Sequence, residues 1–305
     1  MNIKYYLGMD IGGTKCAVVL GDDEGHILAK ERFETAETPR PYPAMDRMIA
    51  LGKRLAADKK IEAVGISCGG PLDAVGGIVL CPPNLPGWVN IPAADYFSKA
   101  FGVPAYLQND ANACALAEWK YGAAKGCRNA VFLTFGTGMG GGLILNNQLY
   151  NGTCSMGAEI GHLRLSTTGP VGFGIAGSFE GWCSGGGLAR QGEKLLGYPV
   201  TARRLAELAR SNEPESETAR RIWRRCGKRL GQGLALIIDM VNPECVVIGS
   251  IYGRCRDLLE EPMQKELKKL AIPYSRAVCR IVPAGLGEAI GDVASLAAAA
   301  YGPVE

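Results

Sequence analysis

The sequence predicts an α/β protein of two domains, on three observations. Apolar runs of strand character alternate with stretches of helical period along the chain. A strand, a glycine-rich turn and a second strand occur twice, around Asp10-Ile-Gly-Gly-Thr-Lys15 and around Thr134-Phe-Gly-Thr-Gly-Met-Gly-Gly-Gly142. The length of 305 residues gives each of two domains enough chain to bury a core.

Taken in order, residues 3–33 read as three strands, with Asp22-Asp-Glu-Gly25 turning between the second and third. A helix is expected from Ala44 to Asp58, then a strand at Ala63–Ser67 that leads into Gly69-Gly-Pro-Leu-Asp73. Pro and Gly dominate Cys81–Pro92, an irregular segment containing Asn84-Leu-Pro-Gly-Trp88. A short helix (Ala93–Phe101), a strand (Ala105–Gln108) and a helix (Ala111–Tyr121) complete the first half. The pattern restarts after Gly122, so the expected domains are 1–122 and 123–305. Gly169–Gly187 reads as loop-rich. A long helix follows from Glu215 to Val241, with Ala219, Ile222, Trp223, Cys226, Leu230, Leu234, Ile237 and Ile238 on one face. Asn242-Pro243 stops it, Cys245–Gly249 reads as a buried strand, and a final helix, Glu288–Ala300, is apolar enough to pack back on the first domain.

Composition narrows the function classes. No apolar run is long enough to span a membrane, and a net charge of +3 is too small to imply a nucleic-acid partner. The first strand begins almost at once, so no signal peptide is visible. Eleven cysteines, an odd number without any C-x-x-C pair, fit a reducing cytoplasm better than a disulfide framework. Arg220, Arg221, Arg224, Arg225, Lys228 and Arg229 make the long helix basic, either as a surface for an acidic partner or as a solvated face opposite the apolar stripe.

The two glycine turns read as hairpin tips whose bare backbone N–H groups can close on an anion. A lone glycine turn often only reverses the chain, but duplication with Thr beside the glycines points to phosphate. Neither fits the G-x-x-x-x-G-K-[ST] loop, and neither opens directly into a helix. Facing each other across a cleft, Gly12, Gly13, Thr14 and Lys15 on one tip and Gly136, Thr137 and Gly138 on the other could hold a nucleoside triphosphate. Asp10, entering the first tip, is placed to hold the accompanying Mg²⁺.

Gln108-Asn-Asp-Ala-Asn112 lies at a strand end and opens the next helix, a location that exposes side chains to ligand in α/β proteins. Asn109 or Asp110 can be a simple helix cap. Alternatively Asp110 accepts a proton from an attacking hydroxyl while Asn109 orients the substrate, since an ordinary aspartate is ionised at neutral pH. Glu159-Ile-Gly-His162 holds one of only two histidines. It reads as a surface pair, a partial metal site or a grip on neighbouring hydroxyls. His26 lies in a charged turn and reads as solvated, and Glu180 adds a further acceptor. This polar inventory suits a polyol, because each hydroxyl left unpaired in a closed site is costly.

The ordered set D-x-G-G-T-K, G-G-P-L-D, N-L-P-G-W, Q-N-D-A-N, T-x-G-T-G-x-G-G-G and E-I-G-H resembles the ROK family (repressors, open reading frames, kinases) of sugar kinases, over essentially the whole chain. The resemblance implies a hexokinase–actin-like (ribonuclease H-like) ATPase fold and ATP-dependent phosphorylation of a hexose, as in glucokinase. It implies Asp110 as catalytic base, with Asn84, Asn109, Glu159, His162 and Glu180 lining the sugar pocket. The two tips would then cradle the phosphates of ATP, and Gly249 would form the adenine-side turn, although Ser250-Ile-Tyr252 is less glycine-rich than is usual there. A homodimer is compatible with it.

Many members carry C-x-C-G-x-x-G-C-x-E after E-x-G-H, whose cysteines bind a structural Zn²⁺. Here the three ligand positions are Val171, Phe173 and Ser178, which supply no thiolate, so no zinc is expected. The loop must then be held by packing, with Phe173 and Phe179 as replacements. Two other readings compete. A sugar-responsive regulator of the same family would need a DNA-binding segment, for which a hairpin beginning by residue 5 leaves no room in front. A chaperone-type ATPase would lack the Asn-Asp and Glu-x-x-His pairs.

Overall fold

The computed structural model describes residues 3–303. Three strands open the chain: β1 (Tyr5–Ile11), β2 (Lys15–Asp22) and β3 (Ile27–Glu34). Helix α1 (Pro41–Ala56), strand β4 (Ile61–Cys68), the short hairpin β5 (Leu72–Asp73) and β6 (Ile78–Val79), and α2 (Ala93–Phe101) follow. Next come β7 (Ala105–Asn109), α3 (Asp110–Lys120), β8 (Ala130–Leu133), β9 (Gly141–Leu145) and β10 (Gln148–Tyr150). A second short hairpin, β11 (Val171–Gly172) and β12 (Ile175–Ala176), precedes α4 (Phe179–Trp182), α5 (Gly185–Leu196), α6 (Ala202–Arg210) and α7 (Ser216–Val241). The chain ends with β13 (Cys245–Ile248), α8 (Ile251–Arg254), α9 (Arg256–Leu270), α10 (Pro273–Val278), β14 (Arg280–Pro283) and α11 (Ile290–Tyr301).

Two five-stranded sheets share one plan, β3-β2-β1-β4-β7 and β10-β9-β8-β13-β14. In the first, β1 pairs antiparallel with β2 and parallel with β4, which is parallel to β7. In the second, β13 runs parallel to β8 and to β14, and β9 and β10 form the antiparallel edge. Residue type explains the layering. β2 is buried on both faces, whereas the edge strand β3 alternates and carries Lys30, Glu31, Arg32 and Glu34, charges that discourage further pairing.

The chain folds into two compact units. One holds the residues up to Gly126 with Gly142–Gly157 and the stretch from Glu288, and the other holds Cys127–Gly141 and Ala158–Gly287. In the first unit α11 lies across β1 and β4, where two strand positions lack side chains. A Cβ on Gly8 would fall 2.1 Å from Ser295 Oγ, and one on Gly65 would fall 1.9 Å from the Ser295 carbonyl oxygen. In the second unit every residue of the apolar stripe on α7, from Ala219 to Ile238, is buried. Asn242 closes this helix in the left-handed region, which asparagine tolerates.

Several boundaries differ from the sequence reading. α1 starts at Pro41 rather than Ala44, because a proline in the first helical turn gives up an N–H that has no helical acceptor. The segment 169–187 holds a hairpin and two helix starts. α6, α9, α10 and β14 lie outside that reading; α9 carries Pro262 inside it, which masks its helical period. On the basic face of α7, Arg220 donates to the Ala209 and Ser211 carbonyls, each at 2.8 Å, and Arg229 lies over the Trp182 ring. Arg221, Arg224, Arg225 and Lys228 line a cleft with Glu261, Lys265 and Glu266 of α9. No helix among the described residues is long and apolar enough to cross a membrane.

Candidate active site

In the first unit, parallel register sets the functional residues along one sheet edge. Asp10 stands beside Ser67, and Ile11, Cys68 and Asn109 end their strands side by side. Asn109 is the N-cap of α3, its Oδ1 accepting the Ala111 N–H at 2.9 Å. Asp110 begins the helix and accepts the same N–H at 2.7 Å, yet its side chain remains exposed. Capping and exposure thus coexist at this strand end.

Burial pushes the Asp10 carboxyl up to about 7, and the neighbouring charges of Asp110 and Asp292 add to the shift while Lys15 and Lys30 oppose it. The first glycine tip is closed by the Gly12 N–H on the Lys15 carbonyl at 3.1 Å and braced by Thr35, whose hydroxyl donates to the Gly12 carbonyl at 2.7 Å. Gly13 sits directly on Asn84, for a Cβ there would lie 2.6 Å from the Asn84 carbonyl oxygen. Gly13, Thr14, Lys15 and Asn84 are exposed. Among the described residues the N–H groups of Gly13 and Thr14 meet no internal acceptor.

The second unit repeats the arrangement with different supports. The N–H groups of Thr137 and Gly138 likewise meet no acceptor among the described residues. The tip is anchored from below, because the Gly136 and Thr137 carbonyls accept from Gly185 and Gly186 at the start of α5, at 2.7 and 3.0 Å. Glu180 accepts the Met139 N–H at 3.1 Å and lies against Gly138, so it belongs with this hairpin as much as with the Glu159 group. Glu159 and His162 face each other at 3.8 Å, both partly open to solvent. Gly249 continues the neighbouring strand, its N–H on the Leu133 carbonyl at 2.9 Å, and Ile251 donates to Phe135 at the root of the hairpin. Ser250 takes φ 52°, ψ −103°, a backbone state that favours glycine, so the glycine-poor turn noticed in the sequence is present and strained.

The loop at the altered zinc positions is held by more than packing. Ser178 Oγ accepts the Gly181 N–H at 3.1 Å and donates to the Gly172 carbonyl at 3.3 Å, tying the hairpin to α4. Phe179 is fully buried, its ring under Gly233 of α7. Phe173 is 67% exposed and packs instead on His162, with ring centroids 4.8 Å apart. Among the described residues no three His, Cys, Asp or Glu side chains are grouped to hold a metal ion.

Sequence reasoning missed Asp292 and Thr35, and it named Ser178 without the hydrogen bonds that the residue makes. Asp292 lies in the first turn of α11, bonded to Lys30 at 2.6 Å, and its signal was the lone acid in an otherwise apolar helix. Thr35 had no signal, because its contact with Gly12 is made across 23 positions of chain.

The family model described as "ROK family" matches residues 6–300. A glucokinase of Streptomyces coelicolor is 31% identical, across 94% of this chain and 95% of its own. The structure of a ROK family glucokinase from Streptomyces griseus in complex with glucose and AMPPNP superposes with a TM-score of 0.78 at 30% identity, covering 99% of this chain and 100% of that one. A xylose repressor of Bacillus spizizenii is 26% identical over 93% of this chain but only 74% of its own length. The two-sheet architecture is therefore that of the hexokinase–actin-like ATPase fold.

Proposed function

The chain belongs to the ROK family, and from that premise we propose that it is an ATP-dependent sugar kinase that phosphorylates a hexose hydroxyl, a glucokinase-like reaction. The observation that carries this reading is the strand-end edge that brings Asp10 and Asn109 within one register position of each other, with Asp110 exposed at the next residue. Asp110 is the general base, taking the proton of the attacking hydroxyl as it closes on the γ-phosphoryl group. Asn84, Asn109, Glu159, His162 and Glu180 supply donors and acceptors for the remaining hydroxyls. Two pairs of amides without an acceptor among the described residues, on Gly13 and Thr14 and on Thr137 and Gly138, suit phosphate oxygens.

A Mg²⁺ ion fits beside Asp10, whose carboxyl, raised to about 7 among other carboxylates, gains its charge most readily next to a cation. When bound, the ion neutralises phosphate charge, and Asp10 is the residue that would hold it. Gly249 is assigned to the adenine side. The protein is proposed to act in the cytoplasm on small molecules, without nucleic acid or membrane, as a monomer or homodimer. The kinship with a xylose repressor keeps a sugar-responsive regulator as the second reading.

A panel of hexoses and N-acetylhexosamines with ATP and Mg²⁺, read by coupled ADP release, tests the proposal. Sugar-dependent ADP release is expected for at least one hexose, and sugar binding without any turnover would favour the regulator.

A further inference from the structure

Strands β11 and β12 pair Gly172 with Ile175, so Phe173 and Gly174 alone make the turn between them. Both have positive φ, 48° and 75°. A two-residue hairpin turn with positive φ at both positions calls for Asn, Asp or Gly first and Gly second. Gly174 obeys this rule and Phe173 breaks it. An aromatic side chain is thereby held in a backbone state that disfavours it, and it gains little from burial because 67% of its surface stays exposed. Unusual backbone at a surface turn that contributes nothing to the core points toward a role in the site.

Among the described residues the one ring contact of Phe173 is with His162, at 4.8 Å between centroids and 48° between planes. The Glu159 carboxylate lies 3.8 Å from Nε2 of this imidazole, too far for a good hydrogen bond. His162 belongs to a three-residue helical turn and is itself partly exposed, so its own backbone does little to set the ring.

We propose that Phe173 is a positioning residue for the sugar: its ring sets the plane of the His162 imidazole and so aims the ring nitrogens at a substrate hydroxyl. The inference rests on the kinase reading above and assigns within it the residue on which sugar affinity, rather than phosphoryl transfer, depends.

Phe173→Asn is the discriminating variant, because it installs the residue that the turn itself prefers. The expected result is an unchanged or raised melting temperature together with a sugar KM about two- to tenfold higher, the range that an aromatic contact spans. The kcat and the KM for ATP should stay within about twofold. Phe173→Tyr should restore the sugar KM. The chain has only two histidines, so the His162 ring signals can be assigned by proton NMR against a His26→Ala control. They should lose the ring-current shift in Phe173→Asn and keep it in Phe173→Tyr. Unmoved His162 signals, or a normal sugar KM beside shifted signals, would overturn the proposal. Failure of the kinase reading would show separately, as wild-type protein that releases no ADP with any sugar.

Discussion

The first glycine hairpin stands among carboxylates and the second among backbone donors. Asp10 leads into the first tip with its carboxyl raised to about 7, and Asp110 and Asp292 share its surroundings. The second tip has the Gly136 and Thr137 carbonyls taken by the leading amides of α5, and the Glu180 carboxylate is bonded to the Met139 N–H. Each offers two adjacent amides that meet no acceptor among the described residues, so the two tips look interchangeable. Their surroundings assign different work. Under the proposed kinase reading, the first unit would supply the charge that a cation and a proton transfer need, and the second a braced anion cradle.

Removing the charge that distinguishes the first unit should have the largest effect. Asp110→Asn is expected to lower kcat by about 10²–10⁴-fold, the usual worth of a positioned general base. ATP affinity, measured by titration calorimetry, should change little. A variant that retains most of its turnover would end the role given to Asp110.

A second contrast is steric. In Gly13→Ala the new methyl meets the Asn84 carbonyl oxygen at 2.6 Å, which backbone cannot readily relieve. A loss of about 1–3 kcal/mol is expected from such overpacking, together with weakened ATP binding. Gly136 has no neighbour within 4 Å of its would-be Cβ, so Gly136→Ala should fold within about 0.5 kcal/mol of wild type. Denaturant melts of the pair would show it, and equal losses would mean that the tips are built alike.

Titration sharpens the same difference. The folded Asp10 carboxyl is held above its ordinary value of 3.8, so it favours folding while protonated, and that contribution fades as the pH rises toward about 7. Asp10→Asn should therefore be more stable relative to wild type at pH 8 than at pH 5. Cation binding runs the other way, since only the ionised group attracts Mg²⁺. Mg²⁺-dependent ATP affinity should fall about tenfold from pH 8 to pH 6 in wild type, one pH unit below the midpoint being one decade of ionisation. The same profile should be flat in Asp10→Asn; a flat wild-type profile would remove Asp10 as the metal residue.

The legible parts of the molecule are those whose signal is local. Hairpin strands, the apolar stripe of α7 and the caps at Asn109 and Asn242 each follow from residues within a turn or two of one another. α5 was hidden because three glycines open it, although Ser184 caps the Gly187 N–H at 2.9 Å and is a recognisable start. α9 was hidden by its internal proline. The candidate site divides in the same way. Its motifs were readable, but the raised Asp10 carboxyl was not, for it depends first on burial in the folded chain and then on Asp110 and Asp292, distant in sequence. Nor was the seat of Gly13 on Asn84, or the stacking of Phe173 on His162. Such contacts are properties of the folded chain, and no pattern of spacing encodes them.

The smallest expected effect concerns the loop that supports the second unit's hairpin. Structural zinc contributes about 10–16 kcal/mol in small zinc-dependent peptides, so a domain relying on it fails visibly when the metal is stripped. Here the ligand positions hold Val171, Phe173 and Ser178, and the Ser178 hydroxyl is bonded to both the Gly181 N–H and the Gly172 carbonyl. Those bonds tie the hairpin to α4, and Phe179 anchors α4 beneath α7. Exhaustive chelation followed by return of Mg²⁺ should leave melting temperature and turnover unchanged. Ser178→Ala, which cuts the hydrogen-bonded tie, should cost about 1–2 kcal/mol through the lost helix cap. One equivalent of zinc per chain in the purified protein, or collapse of the loop on chelation, would show that a metal rather than Ser178 holds it.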